Sequence, residues 1–243
     1  MIFTVSSGGT LNTNGFNIIG SATGNTFTLS SGGTLEITST AGITTAGTAS
    51  GNIQSLVRTY NAGANYTYNG SANQATGTGY PTNLTGILTI DNPGNTVTLS
   101  AARTIASGGT VDLAGGTFAA GTNLTMATTS SINRSEGAMT GTLQGTGTYN
   151  VTYTGNSKTG GPELANGGLN NLTLNLTSGQ TATLAAALTL DGTLTIGSGS
   201  TLDVSGSNFA ISIAGSWTNN GGTFTAGTGT VTFNGTGAQS ING

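Results

Sequence analysis

The chain repeats itself, and that constrains its fold more than any single residue does. Asn220–Gly243, NGGTFTAGTGTVTFNGTGAQSING, nearly copies AGGTFAAGT of Ala114–Thr122 in its first part. Its second part parallels YTYNGSANQATG, around Tyr66, and VTYTGNSKTGG, from Val151. Thr96–Ile105 (TVTLSAARTI) aligns with Thr181–Leu190 (TATLAAALTL), 85 residues further on, and the pairs Tyr68/Tyr153 and Gly70/Gly155 keep that spacing. Self-similarity at a near-fixed period is the mark of a repeat array. One continuous β-repeat domain is therefore expected over 1–243. Its expected parts are the end of one repeat plus an irregular insertion (1–65), two copies (66–148 and 149–229) and a partial third (230–243) in which Phe233 takes the place of Tyr153.

Within each copy the local pattern has a period of 2. MIFTV, GTLNTN, NTFTLS and GTLEIT put Leu, Ile, Val or Phe on one side and Thr, Ser or Asn on the other, as strands with one buried face require. Glycine and asparagine punctuate them at Ser7-Gly8-Gly9, Asn14-Gly15 and Ser31-Gly32-Gly33, and SGGTL at Ser7 and Ser31 recurs as SGGTV at Ser107. No helix is expected: even LAAALTL (Leu184–Leu190) aligns with the strand-like TLSAARTI. Ala41–Tyr80 is less regular and reads as a loop-rich insertion or lateral face.

Composition removes whole classes of function. Charged residues are 5% of the chain, the net charge is −3, and the only bases are Arg58, Arg103, Arg134 and Lys158. That is no electrostatic footprint for nucleic acid or for an anionic membrane surface. There is no Cys or His, so thiol catalysis, histidine acid–base chemistry and zinc sites built on those ligands are not expected. No apolar run approaches the roughly 20 residues of a spanning helix, so no membrane insertion is expected. The start, MIFTVSSGG, lacks the layout of a secretory signal. A disordered chain would combine low hydrophobicity with high net charge; here 34% of residues are hydrophobic and they alternate with polar ones, so the composition favours strands.

Two all-β architectures fit. The preferred one is a parallel β-solenoid (β-helix) of about 20 residues per coil and roughly 12 rungs, which at ~4.8 Å per rung makes a rod of about 55–60 Å. The alternative is a tandem pair of immunoglobulin-like β-sandwiches, one per 85-residue unit. TVTFNGTGAQSING (Thr230–Gly243), NLTL (Asn171–Leu174) and GTLTIGSGSTLDV (Gly192–Val204) carry a resemblance to the Gly/Thr/Asn-rich β-strand repeats of bacterial surface and secreted proteins, the adhesin and autotransporter-passenger type. In such repeats the first motif is followed by an aromatic-NLTI strand, which is absent after Gly243. The resemblance implies an extracellular or cell-surface rod or fibre and brings no catalytic residue or ligand.

The expected function is a structural subunit, not an enzyme, that self-assembles head to tail into a homopolymeric filament. No capping charge cluster, proline-rich edge or amphipathic helix is visible at either end, and an open strand edge is a template for another chain. The interface residues expected are Ile2, Phe3 and Val5 meeting Val231, Phe233 and Ile241. A monomeric adhesin shaft, or a carbohydrate-binding surface for cell-surface or environmental glycans built on Tyr60, Tyr66, Tyr68 and Tyr80, is the alternative, although core packing is the preferred role for those aromatics. Asp191 and Asp203 are 12 residues apart and stand as the carboxylate pair to examine, but each has a turn-like setting, so no catalytic, metal or cofactor site is expected. Thr-x-Thr pairs such as Thr193-Leu-Thr195 raise an ice-binding ladder; without one strict coil period, outward-facing β-strand threonine is the preferred reading.

Overall fold

The computed structural model describes residues 1–20, 24–45, 49–145 and 147–243. It is a parallel β-solenoid. Every ladder between named strands is parallel, and the only helix among the described residues is a single 3₁₀ turn, Pro162–Leu164. The tandem sandwich is thereby excluded, because it requires antiparallel pairing.

Each turn crosses three faces in a fixed order. The leading face holds the strands Ile2–Val5, Thr26–Leu29 and Val57–Tyr60, then Asn83–Leu84, Arg103–Ile105 and Leu124–Met126, and later Leu188–Leu190, Ile211–Ile213 and Val231–Phe233. Next comes a principal sheet, whose hydrogen-bonded path takes one strand from each of eleven turns, from Thr10–Asn12 to Ile241–Asn242. The trailing face includes Gln74–Ala75, Lys158–Thr159, Thr181–Thr183, Thr201–Asp203 and Thr223–Thr225. Two 12-residue strands, Ile87–Thr98 and Thr110–Gly121, run from the principal face onto the trailing one.

Period-2 alternation becomes stacking. Inward positions on the principal sheet put Leu35, Tyr66, Leu88, Val111, Ile132 and Val151 on top of one another in successive turns. All are at most 1% exposed, and one apolar cluster runs from Val5 to Trp217. Such a column removes apolar surface from water turn after turn, at about 25 cal/mol per Å². The SGGTL motif makes the corner between the leading and principal faces: Gly9 N–H bonds to Ser6 O, Gly33 to Ser30 O and Gly109 to Ala106 O. At Gly32, φ is +72°, the left-handed conformation that the third position of such a turn demands and glycine supplies.

Ten steps carry the principal column from Leu11 to Ile241, so a turn averages 23 residues and the rod is about 48 Å long at ~4.8 Å per step. Corners take more residues than the shorter expected coil allowed. The 85-residue repeat is four turns: Tyr68, Ile90, Leu113, Arg134 and Tyr153 are successive register partners. The third copy is out of that phase. The four-turn successor of Val151 is Ile241, whereas Phe233 pairs with Ile213 on the leading face.

The shared motif encodes a corner, and corners occur on more than one face. In YNGSANQ, Gln74 accepts from Gly70 N–H and donates from Nε2 to Ile37 O and Ser39 O of the preceding turn. In FNGTGAQ, Gln239 accepts from Gly235 N–H and donates to Ile213 O and Gly215 O. The two corners are the same device on different faces.

The irregular Ala41–Tyr80 stretch is more regular than expected. It contains Ile53–Ser55, Val57–Tyr60, Asn65–Tyr68 and Gln74–Ala75, each in register with a neighbouring turn. The extra residues lie before Ile53, where buried Asn52 accepts from Thr38 and Ser39 N–H and donates to Phe16 O. Residues 46–48 of this stretch lie outside the described chain.

Candidate functional site: two open ends and a dent in the leading face

The tyrosines do not form a surface. Tyr66 and Tyr68 are fully buried and Tyr80 is 2% exposed, packed edge-on to both at ring-centroid distances of 5.2 and 6.4 Å. Tyr66 and Tyr68 donate their hydroxyls to Asn61 O and Thr76 O. Tyr60 is half-buried against Phe27. These aromatics plug the core, the role preferred for them, and the alternative glycan surface is not formed: with alternate residues facing inward, Tyr66 and Tyr68 share the inner side of their strand.

Asp191 and Asp203 do not meet as a catalytic pair. Asp191 follows the leading-face strand Leu188–Leu190, Asp203 ends the trailing-face strand Thr201–Asp203, and Leu194–Ile196 of the principal sheet lies between them. Asp203 Oδ1 accepts from Ser205 N–H, an ordinary turn contact. The carboxylate perturbed by a neighbouring one is Asp112: burial first, then the Asp91 charge, raises it above its usual range. No group of three or more Asp or Glu among the described residues is placed to hold a metal ion. The outward column of the principal sheet carries Thr152, Thr173, Thr195 and Thr218 on consecutive turns, but Asp112 and Asn133 precede them, so threonine covers only part of that face.

The expected interface residues fall on the end turns. Ile2 is 79% and Ile241 70% exposed, and their strands have a ladder partner on one side only. Phe3, Val231 and Phe233 are half-buried against the core, and Phe3 stacks on Phe27 with centroids 5.9 Å apart. Val5 is 5% exposed. Ile2–Val5 and Val231–Phe233 both belong to the leading face; Thr10–Asn12 and Ile241–Asn242 both belong to the principal sheet. The two ends thus match on the leading and principal faces.

A third feature was not read from the sequence. On the inner side of the principal sheet, Arg134 occupies the position held one turn earlier by Leu113 and one turn later by Tyr153. Arg134 Nη1 donates to Glu163 Oε1 at 2.6 Å and to Thr159 O at 2.9 Å, and its Nε donates to Gly137 O at 2.7 Å. Tyr153 donates to Glu163 Oε1 at 2.5 Å and Tyr149 to Glu163 O at 2.9 Å. Burial opposes the charge on Arg134, but Glu163 and Tyr153 outweigh it and hold the guanidinium above its ordinary pKa. Burial, then Glu163, pushes Tyr153 well up. The alternation signalled Arg134, two residues after buried Ile132; nothing local announced its partner 29 residues on.

Glu163 draws its segment into the interior. The leading-face part of that turn becomes the Pro162–Leu164 helical turn, with Glu163 fully buried and Leu164 8% exposed. On the outside this leaves an apolar dent of about 420 Å³ between Gly141–Leu143 and Leu184–Ala187. It contains no charged side chain.

No family model matches the chain, and neither a curated protein nor a solved structure does.

Proposed function

We propose that this chain is a non-enzymatic structural rod of the cell exterior, whose turns continue from one copy to the next to build a filament. The observation that carries this reading is the match of the two ends on the leading and principal faces. Stacking a second copy on the last turn sets Ile2–Val5 against Val231–Phe233 and Thr10–Asn12 against Ile241–Asn242. Ile241 would then face Leu11, not the Ile2–Val5 strand. The contact is head to tail, which extends without closing unless the rotation brings it back on itself. Each exposed end isoleucine gains about 1.5–3 kcal/mol on full burial, and the open ladder gains backbone hydrogen bonds. With few charges anywhere, cohesion should vary little with salt.

Electron microscopy of the purified protein in dilute, low-salt buffer tests this. Unbranched filaments with an axial repeat near one rod length, about 48 Å from the ladder spacing, are expected. They should survive moderate salt and be lost when Ile2 and Ile241 are both changed to Asp, which puts a charge into each apolar end contact. Short separate rods at high concentration would refute polymerisation.

A further inference from the structure

We propose that the dent in the leading face is a strand-acceptor site for an extended, uncharged polypeptide segment that runs parallel to the turns. The dent marks a missing strand. One turn before it, Thr142 and Gln144 N–H bond back to Gly121 O and Leu124 O, which leaves the main chain of Leu143 directed toward the dent. One turn after it, the ladder is made at both margins and absent between them. Gly160 N–H reaches Thr183 O at one margin, and Asp191 N–H reaches Leu169 O at the other.

Leu188–Leu190 has a ladder partner on one side only, so by the alternation of a parallel ladder Thr189 directs its main-chain groups into the interval while Leu188 bonds away from it to Ala210 O; Ala185 and Ala186 form the bend that leads into this strand. Leu143, Ala185 and Ala187 make no backbone hydrogen bond among the described residues. Two open edges therefore face each other across one absent strand, roughly two ladder spacings of ~4.8 Å apart.

Those edges determine the occupant. Unpaired N–H and C=O groups on both sides call for backbone, as in other cases where a peptide completes a sheet. Both neighbouring turns run in the same direction, and a parallel strand continues the ladder that the rest of this face makes. The lining is mostly apolar, with Leu143, Pro162 and Leu164 beside glycines and alanines and only Thr142 and Asn166 polar, so alternate side chains entering it are aliphatic. The volume lies within the usual range for binding pockets. Because Glu163 is pinned by Arg134, Tyr149 and Tyr153, the sunken segment is held in place and the slot is preformed. This site is independent of the end-to-end contact.

The probe is a capped, fluorescein-labelled peptide Ala-Ile-Ser-Ile-Ala, copying Ala210–Ala214 of the same face. Titrated with the full chain and read by fluorescence anisotropy, it should bind saturably at one site per chain. N-methylation of its ladder-facing amides should weaken binding at least tenfold. So should Ala186→Trp, which fills the dent, in protein whose circular dichroism and melting match the parent. Hydrogen exchange at Leu143 and Ala187 should slow on binding. No saturable binding overturns the proposal. Equal binding of the N-methylated peptide, or of the parent peptide to the folded A186W protein, overturns it as well.

Discussion

Arg134 Nη1 and Glu163 Oε1 meet 2.6 Å apart inside the solenoid, between residues that neighbouring turns fill with Leu113 and Tyr153. Buried pairs of this kind return little net stability over a hydrophobic replacement, yet breaking one is costly because an unpaired charge stays behind. Here the pair has a shape consequence: it pulls Pro162–Leu164 inward and opens the outer face.

Arg134→Met alone should therefore cost about 3–5 kcal/mol, since it leaves the Glu163 carboxylate buried with only the Tyr153 hydroxyl and the more distant Gly161 N–H as donors. The double change Arg134→Met with Glu163→Leu should recover most of that loss. Urea denaturation of the three proteins checks this. A single variant no weaker than the double would remove the pair from its structural role.

The two glutamine corners should differ in weight although their geometry is the same. Gln74 is 3% exposed and also accepts from Asn92 Nδ2, whereas Gln239 sits half-buried in the last turn. Gln74→Leu should cost about 2–4 kcal/mol, because it leaves the buried Gly70 N–H unsatisfied, at roughly 1–3 kcal/mol, and removes one of the two hydrogen bonds made by Ile37 O and by Asn92 Nδ2. Gln239→Leu should cost less than about 1 kcal/mol, because water replaces its partners. Thermal melts of both variants decide it.

Stability should collapse on the alkaline side. All six tyrosines, Tyr60, Tyr66, Tyr68, Tyr80, Tyr149 and Tyr153, have phenols raised above the ordinary value of 10.0, in each case by burial first. A raised folded-state pKa gives stability that is whole below the unfolded value and is lost as pH climbs from there toward the folded one. Circular dichroism should therefore hold steady to about pH 10 and then fall in a cooperative step. Tyrosinate absorbance should rise with that step. Tyrosinate forming well before the loss of structure would contradict the burial.

Much of this molecule was legible in order along the chain. Alternation in NTFTLS and GTLEIT specifies strands because each strand has one wet and one dry side, and SGGTL specifies a corner because a left-handed residue is needed where the chain turns. The four-turn spacing of Tyr68 and Tyr153 follows because register partners occupy like surroundings. By contrast, FNGTGAQ misled about phase: a corner's hydrogen bonds are local, so the same motif serves on either face. Only the tertiary structure decided which face each strand joined, that four aromatics near the Tyr60–Tyr80 stretch point inward, and that Glu163 reaches Arg134. The physical reason is that a solenoid's coil can lengthen at its corners while its ladder keeps register, so residue separation gives the spacing of turns only on average, and contacts between turns arise when the ladder closes.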